Sequence, residues 1–321
     1  MKIQNKKKMI SIFTPCYNEE GNVYNLCMAI KNVMSKLPEY DYEHILSDNC
    51  STDNTWSILK NIAKDDKHVK IIENERNFGP SRSGSHGFFQ TSGDASICLA
   101  CDFQDPPELI IEFIKKWEEG YKVVWGKKTS SQESKRMFLI RSIYYKIIKS
   151  CSDTKQYEHV TGFGLYDKSV VDILRDANEP EPNFRNLIAE YGYDVGLIEY
   201  EQPMRQAGKS SYNFFRYWNT AINSLINTTK APLRIATFIG GFLSAISFII
   251  AIVYLILKLI YWDRFIAGTA PILIGFFFMG GIQLLFLGII GEYVGEVLSR
   301  VTKRPLVIEK ERINFDIEEE E

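Results

Sequence analysis

The chain lacks an excess of either charge. Its 38 basic and 40 acidic side chains nearly cancel, which argues against nucleic acid as a partner. No signal peptide is expected from the first residues: Lys6, Lys7 and Lys8 precede an apolar run, residues 9–14, that is too short for an h-region. The segment that follows, about 230 residues and enough for one full α/β core, is therefore expected to stay in the cytoplasm. It contains no internal repeat and no low-complexity linker. Cysteine is sparse, with Cys16, Cys27, Cys50, Cys98, Cys101 and Cys151 all in this segment. They fit a reducing compartment as small core side chains. Cys98 and Cys101 form a CxxC, but no second Cys or His pair completes a zinc site.

Charge is missing locally from two stretches near the C-terminal end, residues 235–257 and 270–291. Each is long enough to cross a hydrocarbon core of ~30 Å at about 1.5 Å per residue. The first holds about fourteen Ile, Leu, Phe and Val side chains, which outweigh its few Gly, Ser and Thr. The division expected is a cytosolic domain over 1–212, an interfacial amphipathic helix over 213–234 and a first transmembrane helix over 235–257. An extracytoplasmic connection over 258–269, a second transmembrane helix over 270–292 and a cytosolic tail over 293–321 complete it. Phe215, Trp218, Ile222, Leu225 and Ile226 recur at helical spacing ahead of the first span. Residues 135–149 are basic and amphipathic, and could lie on the bilayer or pack on the domain. Lys209, Arg216, Lys230 and Arg234 precede the first span, and Arg300, Lys303 and Arg304 follow the second. The connection offers only Lys258 and Arg264, offset by Asp263, so both termini should face the cytoplasm. The placement implied is a multi-pass protein of the cell (inner) membrane. Gly275, Gly280, Gly281 and Gly288 could permit close helix packing, within a protomer or in a homo-oligomer. The acidic residues 318–321 read as a solvated tail.

The soluble part alternates short apolar runs with helical patterns. Strands are expected at 10–14, 44–47, 69–73, 96–100 and 122–125, with helices near 21–37, 52–64, 81–91 and 107–119. This order predicts an α/β fold with a mostly parallel, Rossmann-like sheet. In such sheets ligands bind outside the carboxyl ends of the strands. Three polar segments fall there. The first is Thr14-Pro15-Cys16-Tyr17-Asn18-Glu19-Glu20, whose acids suit a helix N-terminus. The second, from Asp48 to Thr55, reads either as a capped turn or as a nucleotide pocket in which Asp48 accepts from a base or ribose. The third, Asp102-Phe103-Gln104-Asp105-Pro106-Pro107-Glu108, pairs a carboxylate with an amide oxygen two residues on. Those are hard oxygen ligands suited to Mg²⁺ or Mn²⁺ on a diphosphate. Asp105 and Glu108 also read well as helix N-terminal charges.

Together and in this order, these segments resemble family 2 inverting glycosyltransferases of GT-A fold. The C-terminal hairpin narrows the likeness to polyprenyl-phosphate glycosyltransferases, similar to bactoprenol glucosyltransferases and dolichyl-phosphate mannose synthases. Further matching stretches are Arg76-Asn77-Phe78-Gly79, the loop from Arg205 through Gly208, Lys209 and Ser210 to Tyr212, Gly291-Glu292-Tyr293 and Arg304-Pro305-Leu306. The resemblance implies that Pro15, Tyr17, Glu19, Asp48, Asn77 and Gly79 contact a nucleotide-diphosphate sugar. It implies that Asp102 and Gln104 hold the metal, and that Asp102, Arg205, Lys209 and Ser210 serve catalysis, the last three facing phosphate groups. The acceptor implied is polyprenyl (undecaprenyl or dolichyl) phosphate.

The chain departs from the pattern at four positions. Ala100 replaces the first acid of an Asp-x-Asp, Asn49 and Cys50 replace an Asp and a Gly, and Gly162 stands where a catalytic Asp is proposed in the family. An ionised lipid phosphate needs no base to remove a proton. A sugar hydroxyl acceptor would need one, with Asp153, Glu158 and Asp167 as candidates; His86 and His159 read as structural. The other readings are therefore transfer to a glycan or lipid-linked sugar hydroxyl, or a non-catalytic membrane protein that binds sugar nucleotides.

Overall fold

The computed structural model describes residues 7–129, 157, 160–179, 182–203, 231–260, 269–302 and 304–315. These fall into two compact units, one holding the sheet and the C-terminal tail, the other the two long helices. The first unit begins with β1 (Met9–Cys16), α1 (Val23–Met34), β2 (Asp41–Asp48), α2 (Thr55–Asp65), β3 (Val69–Asn74), α3 (Pro80–Phe88) and β4 (Ala95–Cys98). A 3₁₀ turn at Pro107–Leu109 leads into α4 (Ile110–Glu118) and β5 (Val123–Lys128). Then come β6 (Val160–Asp167), α5 (Lys168–Asp176), α6 (Phe184–Glu190), β7 (Val195–Tyr200) and the tail strand β8 (Glu309–Ile313).

The eight strands form one mixed sheet in the order β7-β5-β6-β4-β1-β2-β3-β8. β1 pairs in parallel with β2 and β4, β2 with β3, and β5 with β7. β6 runs antiparallel to β4 and β5, and β8 antiparallel to β3. The central strands are buried almost throughout. They therefore read as apolar runs rather than alternating ones, as a sheet covered on both faces requires. One core contains Ile10, Ile12, Leu26, Ile30, Leu46, Leu59 and Phe113; the other contains Phe13, Ile45, Ile72, Phe88, Trp125 and Tyr166.

Each expected strand and helix of the first 125 residues exists, with ends displaced by a few residues. Three strands are additions. β6 carries Gly162 and Gly164 at positive φ, β7 is six residues long, and β8 (Glu-Lys-Glu-Arg-Ile) is mostly charged. β8 lacks the apolar pattern that marks a strand in sequence, and glycine interrupts that pattern in β6 and β7. Within the tail expected over 293–321, residues 309–313 form a strand that completes the sheet.

The second unit contains α7 (Ala231–Ile260) and α8 (Thr269–Val301). Both overrun the apolar stretches predicted at 235–257 and 270–292. Among the described residues, one window, Phe278–Gly295, is long and apolar enough to cross a membrane, with mean hydropathy 1.5 and none of it buried. α7 approaches α8 at Gly240, where a Cβ would lie 3.2 Å from the Phe286 ring. The amphipathic segments at 135–149 and 213–230 lie outside the described residues.

α3 lies on the sheet so closely that a Cβ on Gly87 would come within 2.4 Å of the Phe13 ring and 2.8 Å of Ser47 Cβ. Gly87→Ala should therefore cost about 1–3 kcal/mol through overpacking. Thermal melts of the purified chain should show a midpoint lowered by about 2–4 °C per kcal/mol.

Candidate active site

Parallel pairing fixes where the three polar segments meet. Cys16 stands opposite Asp48 at the carboxyl ends of β1 and β2. Beyond β4, the Leu99 amide donates to the Phe13 carbonyl at 3.1 Å. The loops 16–22, 48–54 and 99–106 therefore leave the same edge of the sheet, as a ligand site in an α/β sheet requires.

The first two loops are laced together. Asn18 Oδ1 accepts from the Thr52 amide at 2.8 Å, and the Asn18 amide donates to Ser51 Oγ at 2.9 Å. The Glu19 amide donates to Thr55 Oγ1 at 2.8 Å and the Glu20 amide to Asp53 Oδ2 at 3.2 Å. Glu20 Oε2 accepts from the Asn54 amide and side chain. Pro15 and Glu19 are half-buried, and the Tyr17 side chain is exposed on this lacing.

Asp48 is fully buried at the head of the second loop. It accepts from the Ser51 amide at 3.0 Å and from the Ser51 hydroxyl. Burial pushes its carboxyl above the ordinary range; the Ser51 bonds oppose the shift, and Glu73 and Asp53 add to it. A buried carboxylate held at a sheet edge is suited to accept from a ligand N–H or O–H. Asn77 is exposed and Gly79 half-buried in the adjacent loop, where Asn77 Oδ1 accepts from the Gly79 amide at 2.9 Å.

The third loop is a tight turn. Asp102 Oδ1 accepts from the Gln104 amide at 3.2 Å, and both residues are partly exposed. Asp105 is buried beneath them. It accepts from the Ala100 amide at 3.1 Å and the Tyr200 hydroxyl at 3.2 Å. Burial raises its pKa, opposed by the Ala100 amide, Lys128 and Tyr200. Asp105 thus anchors the turn rather than serving only as a helix N-terminal charge.

Among the described residues, no group of three or more His, Cys, Asp or Glu side chains is placed to hold a metal. A carboxylate and an amide oxygen in one turn still fit Mg²⁺ or Mn²⁺. Such ions keep waters and substrate phosphates as their remaining ligands. Cys16, Cys27 and Cys101 are buried in the core, and burial pushes the Cys27 thiol up to about 12.

Each of the three loops holds one non-glycine residue in the left-handed region: Asn18 (φ 56°), Cys50 (φ 59°) and Phe103 (φ 59°). Such a backbone costs about 1–2 kcal/mol for an ordinary L-residue and clusters at functional sites. Cys50 occupies this conformation at a position where the resembled family carries Gly.

Asp167 cannot serve as the base at this edge. β6 runs antiparallel to β4 and brings Asp167 opposite Ala95, at the other end of the sheet. There it caps α5 by accepting from the Ser169 amide, and takes the Trp117 indole N–H at 2.9 Å. His86 bonds to Glu309 of β8 at 2.6 Å, a structural role. Arg205, Lys209, Ser210, Asp153, Glu158 and His159 lie outside the described residues. Sequence reasoning assigned no site role to Asn18, Asn74 or Tyr200. An Asn between a strand and a helix start is a recognisable left-handed signal, whereas nothing local marks Tyr200.

Residues 11–174 match Glycosyl transferase family 2. The chain is 33% identical over 300 residues to an uncharacterized glycosyltransferase of Synechocystis, covering 93% of this chain and 94% of that one. It is 30% identical over 304 residues to the bactoprenol glucosyl transferase of Shigella phage SfX, covering 94% and 99%. Among solved structures, glucosyl-3-phosphoglycerate synthase from Mycobacterium tuberculosis, crystallised with Mn²⁺, UDP and phosphoglyceric acid, aligns with a TM-score of 0.45 at 18% identity. That alignment covers 69% of this chain and 77% of that one. The chain belongs to glycosyl transferase family 2, with a GT-A-like α/β fold.

Because ionised Asp48 is disfavoured by burial, Asp48→Asn should stabilise the ligand-free fold at neutral pH. The sign follows from linkage. A raised carboxyl pKa means that the charge opposes folding above that pKa, and the gain disappears as pH falls through it. The same substitution should weaken nucleoside-diphosphate binding. It should also remove an acid limb in the wild-type affinity that lies above pH ~4, the ordinary Asp value. Thermal melts and titration calorimetry from pH 4 to 8 check both effects.

Proposed function

We propose that the chain transfers a sugar from a nucleotide-diphosphate donor to polyprenyl phosphate, with inversion, at the cytoplasmic face of the cell membrane. One observation carries this reading: relatives named bactoprenol glucosyl transferase align over nearly the whole chain, long helices included. The convergence of the Asp48 and Asp102 loops at one sheet edge supports it.

In this reading Asp48 accepts from the base or ribose, with Pro15, Tyr17, Glu19, Asn77 and Gly79 lining the donor. Asp102 and Gln104 would hold Mg²⁺ or Mn²⁺, which would supply positive charge beside the leaving diphosphate. The lipid phosphate oxygen forms a bond to the anomeric carbon from the opposite face. The anomeric carbon–oxygen bond breaks, and its electron pair leaves with the nucleoside diphosphate. No proton needs removing, because the nucleophile arrives ionised. The two anions must be held together, which suits Arg205, Lys209 and Ser210 of the 205–212 segment. α7 and α8 form the two-span anchor, with both termini cytoplasmic. The glycines of α8 at 275, 280, 281 and 288 have open surroundings, compatible with a homo-oligomer.

The test is transfer in membranes containing the chain, with labelled UDP- and GDP-sugars and added undecaprenyl phosphate. Label should enter the organic phase, vanish on chelation and return with Mg²⁺ or Mn²⁺. Asp102→Asn should lower the rate by about 100-fold or more, with circular dichroism unchanged. Label that stays in the aqueous phase, or equal transfer to unphosphorylated polyprenol, overturns the acceptor assignment.

A further inference from the structure

The loop 76–79 is held by one side chain that the reaction scheme does not use. Asn49 follows β2 and is 6% exposed. Its amide N–H donates to the Cys16 carbonyl at 3.0 Å, which ties it to the end of β1. Its side chain works in both directions. Oδ1 accepts from the Phe78 amide at 3.0 Å and from Asn74 Nδ2 at 3.2 Å. Nδ2 donates to Asn77 Oδ1 at 3.1 Å, the same oxygen that takes the Gly79 amide. Asn74, fully buried at the end of β3, also donates to Ser83 Oγ of α3 at 2.8 Å.

One residue therefore joins the ends of β1 and β3 to the loop that opens α3, its backbone N–H holding β1 and its carboxamide holding Asn74 and the loop. The arrangement needs a group that donates and accepts. A carboxylate at 49 could still take the Phe78 and Asn74 N–H groups, but it could not donate to Asn77 Oδ1. Two acceptor oxygens would then face each other at hydrogen-bond distance. The added charge would also sit beside Asp48, whose buried carboxyl is already disfavoured by Glu73 and Asp53. A short aliphatic side chain would leave the buried Asn74 amide and the Phe78 amide without this acceptor.

We infer that Asn49 is a positioning residue for the sugar-nucleotide donor: its amide sets Asn77, Phe78 and Gly79 for the nucleoside-diphosphate end. This deepens the proposed function and rests on it. Asn49 acts through the loop and touches no reacting atom. Its loss should therefore appear in donor affinity and donor KM, with kcat at saturating donor much less changed.

The experiment titrates UDP and GDP, each with Mn²⁺, into the detergent-solubilised full chain by calorimetry. Wild type, Asn49→Ala, Asn49→Asp and Asn49→Ser are compared, and near-ultraviolet circular dichroism reports the fold. Whichever nucleotide binds wild type should bind each folded variant about tenfold or more weakly. Adding Asn49→Ala to Asn77→Ala should cause little further loss, because the two side chains act as one unit. Unchanged affinity in the folded variants, or losses that add fully in the double variant, overturns the inference while leaving the donor assignment intact. Loss of the fold in all three variants overturns it as well, since Asn49 would then serve the sheet and not the donor. Failure of wild type to bind either nucleotide overturns the donor assignment and this inference with it.

Discussion

The register of β1 against β2 and β4 is the constraint on which the site depends. Parallel neighbours cannot be joined by a tight hairpin, so the connections among β1, β2, β3 and β4 pass over a face of the sheet and those four strands end at the same edge. A slip of one residue would turn each side chain to the opposite face and separate Asn18 from Ser51 and Thr52. The amino ends are clamped by a second polar network. Buried Glu43 of β2 accepts from Ser11 Oγ of β1 at 2.5 Å, from the Ser92 amide and hydroxyl, and from Lys70 of β3 at 2.7 Å. Burial alone would raise its pKa, but these bonds outweigh it and hold the carboxyl below the usual range. The ladder is thus pinned at one end by a buried ion pair and at the other by the loops that form the site.

The C-terminal tail gives the same sheet a covered edge on the β3 side. An exposed β3 would offer a row of unpaired backbone groups, and β8 occupies them. Its fastening is specific. Glu309 takes His86 and Arg312, Lys310 reaches Glu73, and Asn314 Nδ2 donates to the Ala63 and Val69 carbonyls. Burial pushes the Glu309 carboxyl up, yet its bonds to His86 and Arg312 pull it down to about 2. Glu309 therefore keeps its charge across the physiological range. It bears on the site because β3 ends in Asn74, which supports Asn49, and because His86 belongs to the helix that the 76–79 loop opens.

How much was legible in the sequence follows from the kind of force involved. The first five strands were readable because apolar runs bounded by Asn, Asp, Gly and Pro mark buried parallel strands. The same punctuation placed Asp48 at the end of β2; Asp102, expected to close the fourth strand, lies four residues beyond it in the loop. β8 was hidden because an edge strand needs little apolar surface, and its charged alternation looks like a solvated tail. β6 was hidden because Gly162 and Gly164 carry backbone shapes that no propensity rule assigns to a strand. Asp105 illustrates a third limit. From the sequence it is an acid ahead of a helix, but Tyr200, distant in the chain, converts it into a buried anchor. Polar pairs between remote segments have no periodicity, so Asn49 and Asn77 could be seen as departures or matches but not as partners.

Gly162 shows how deep one departure goes. It sits on β6 at φ 94°, and among the described residues an added Cβ would find only the Tyr166 hydroxyl, 3.7 Å away. Space is therefore not what excludes an acid there; the backbone is. An Asp at this φ would carry a strain of about 1–3 kcal/mol before it could act as a base. The Gly162 carbonyl is itself engaged, accepting from the Tyr166 hydroxyl at 2.9 Å, while Tyr166 takes the Trp125 indole N–H at 3.0 Å. A carboxylate at this position would thus be held on a backbone that a buried aromatic pair fixes in an unfavourable conformation. A site shaped in this way suits a nucleophile that is ionised before it arrives, because such chemistry asks the protein for position and counter-charge and not for a base.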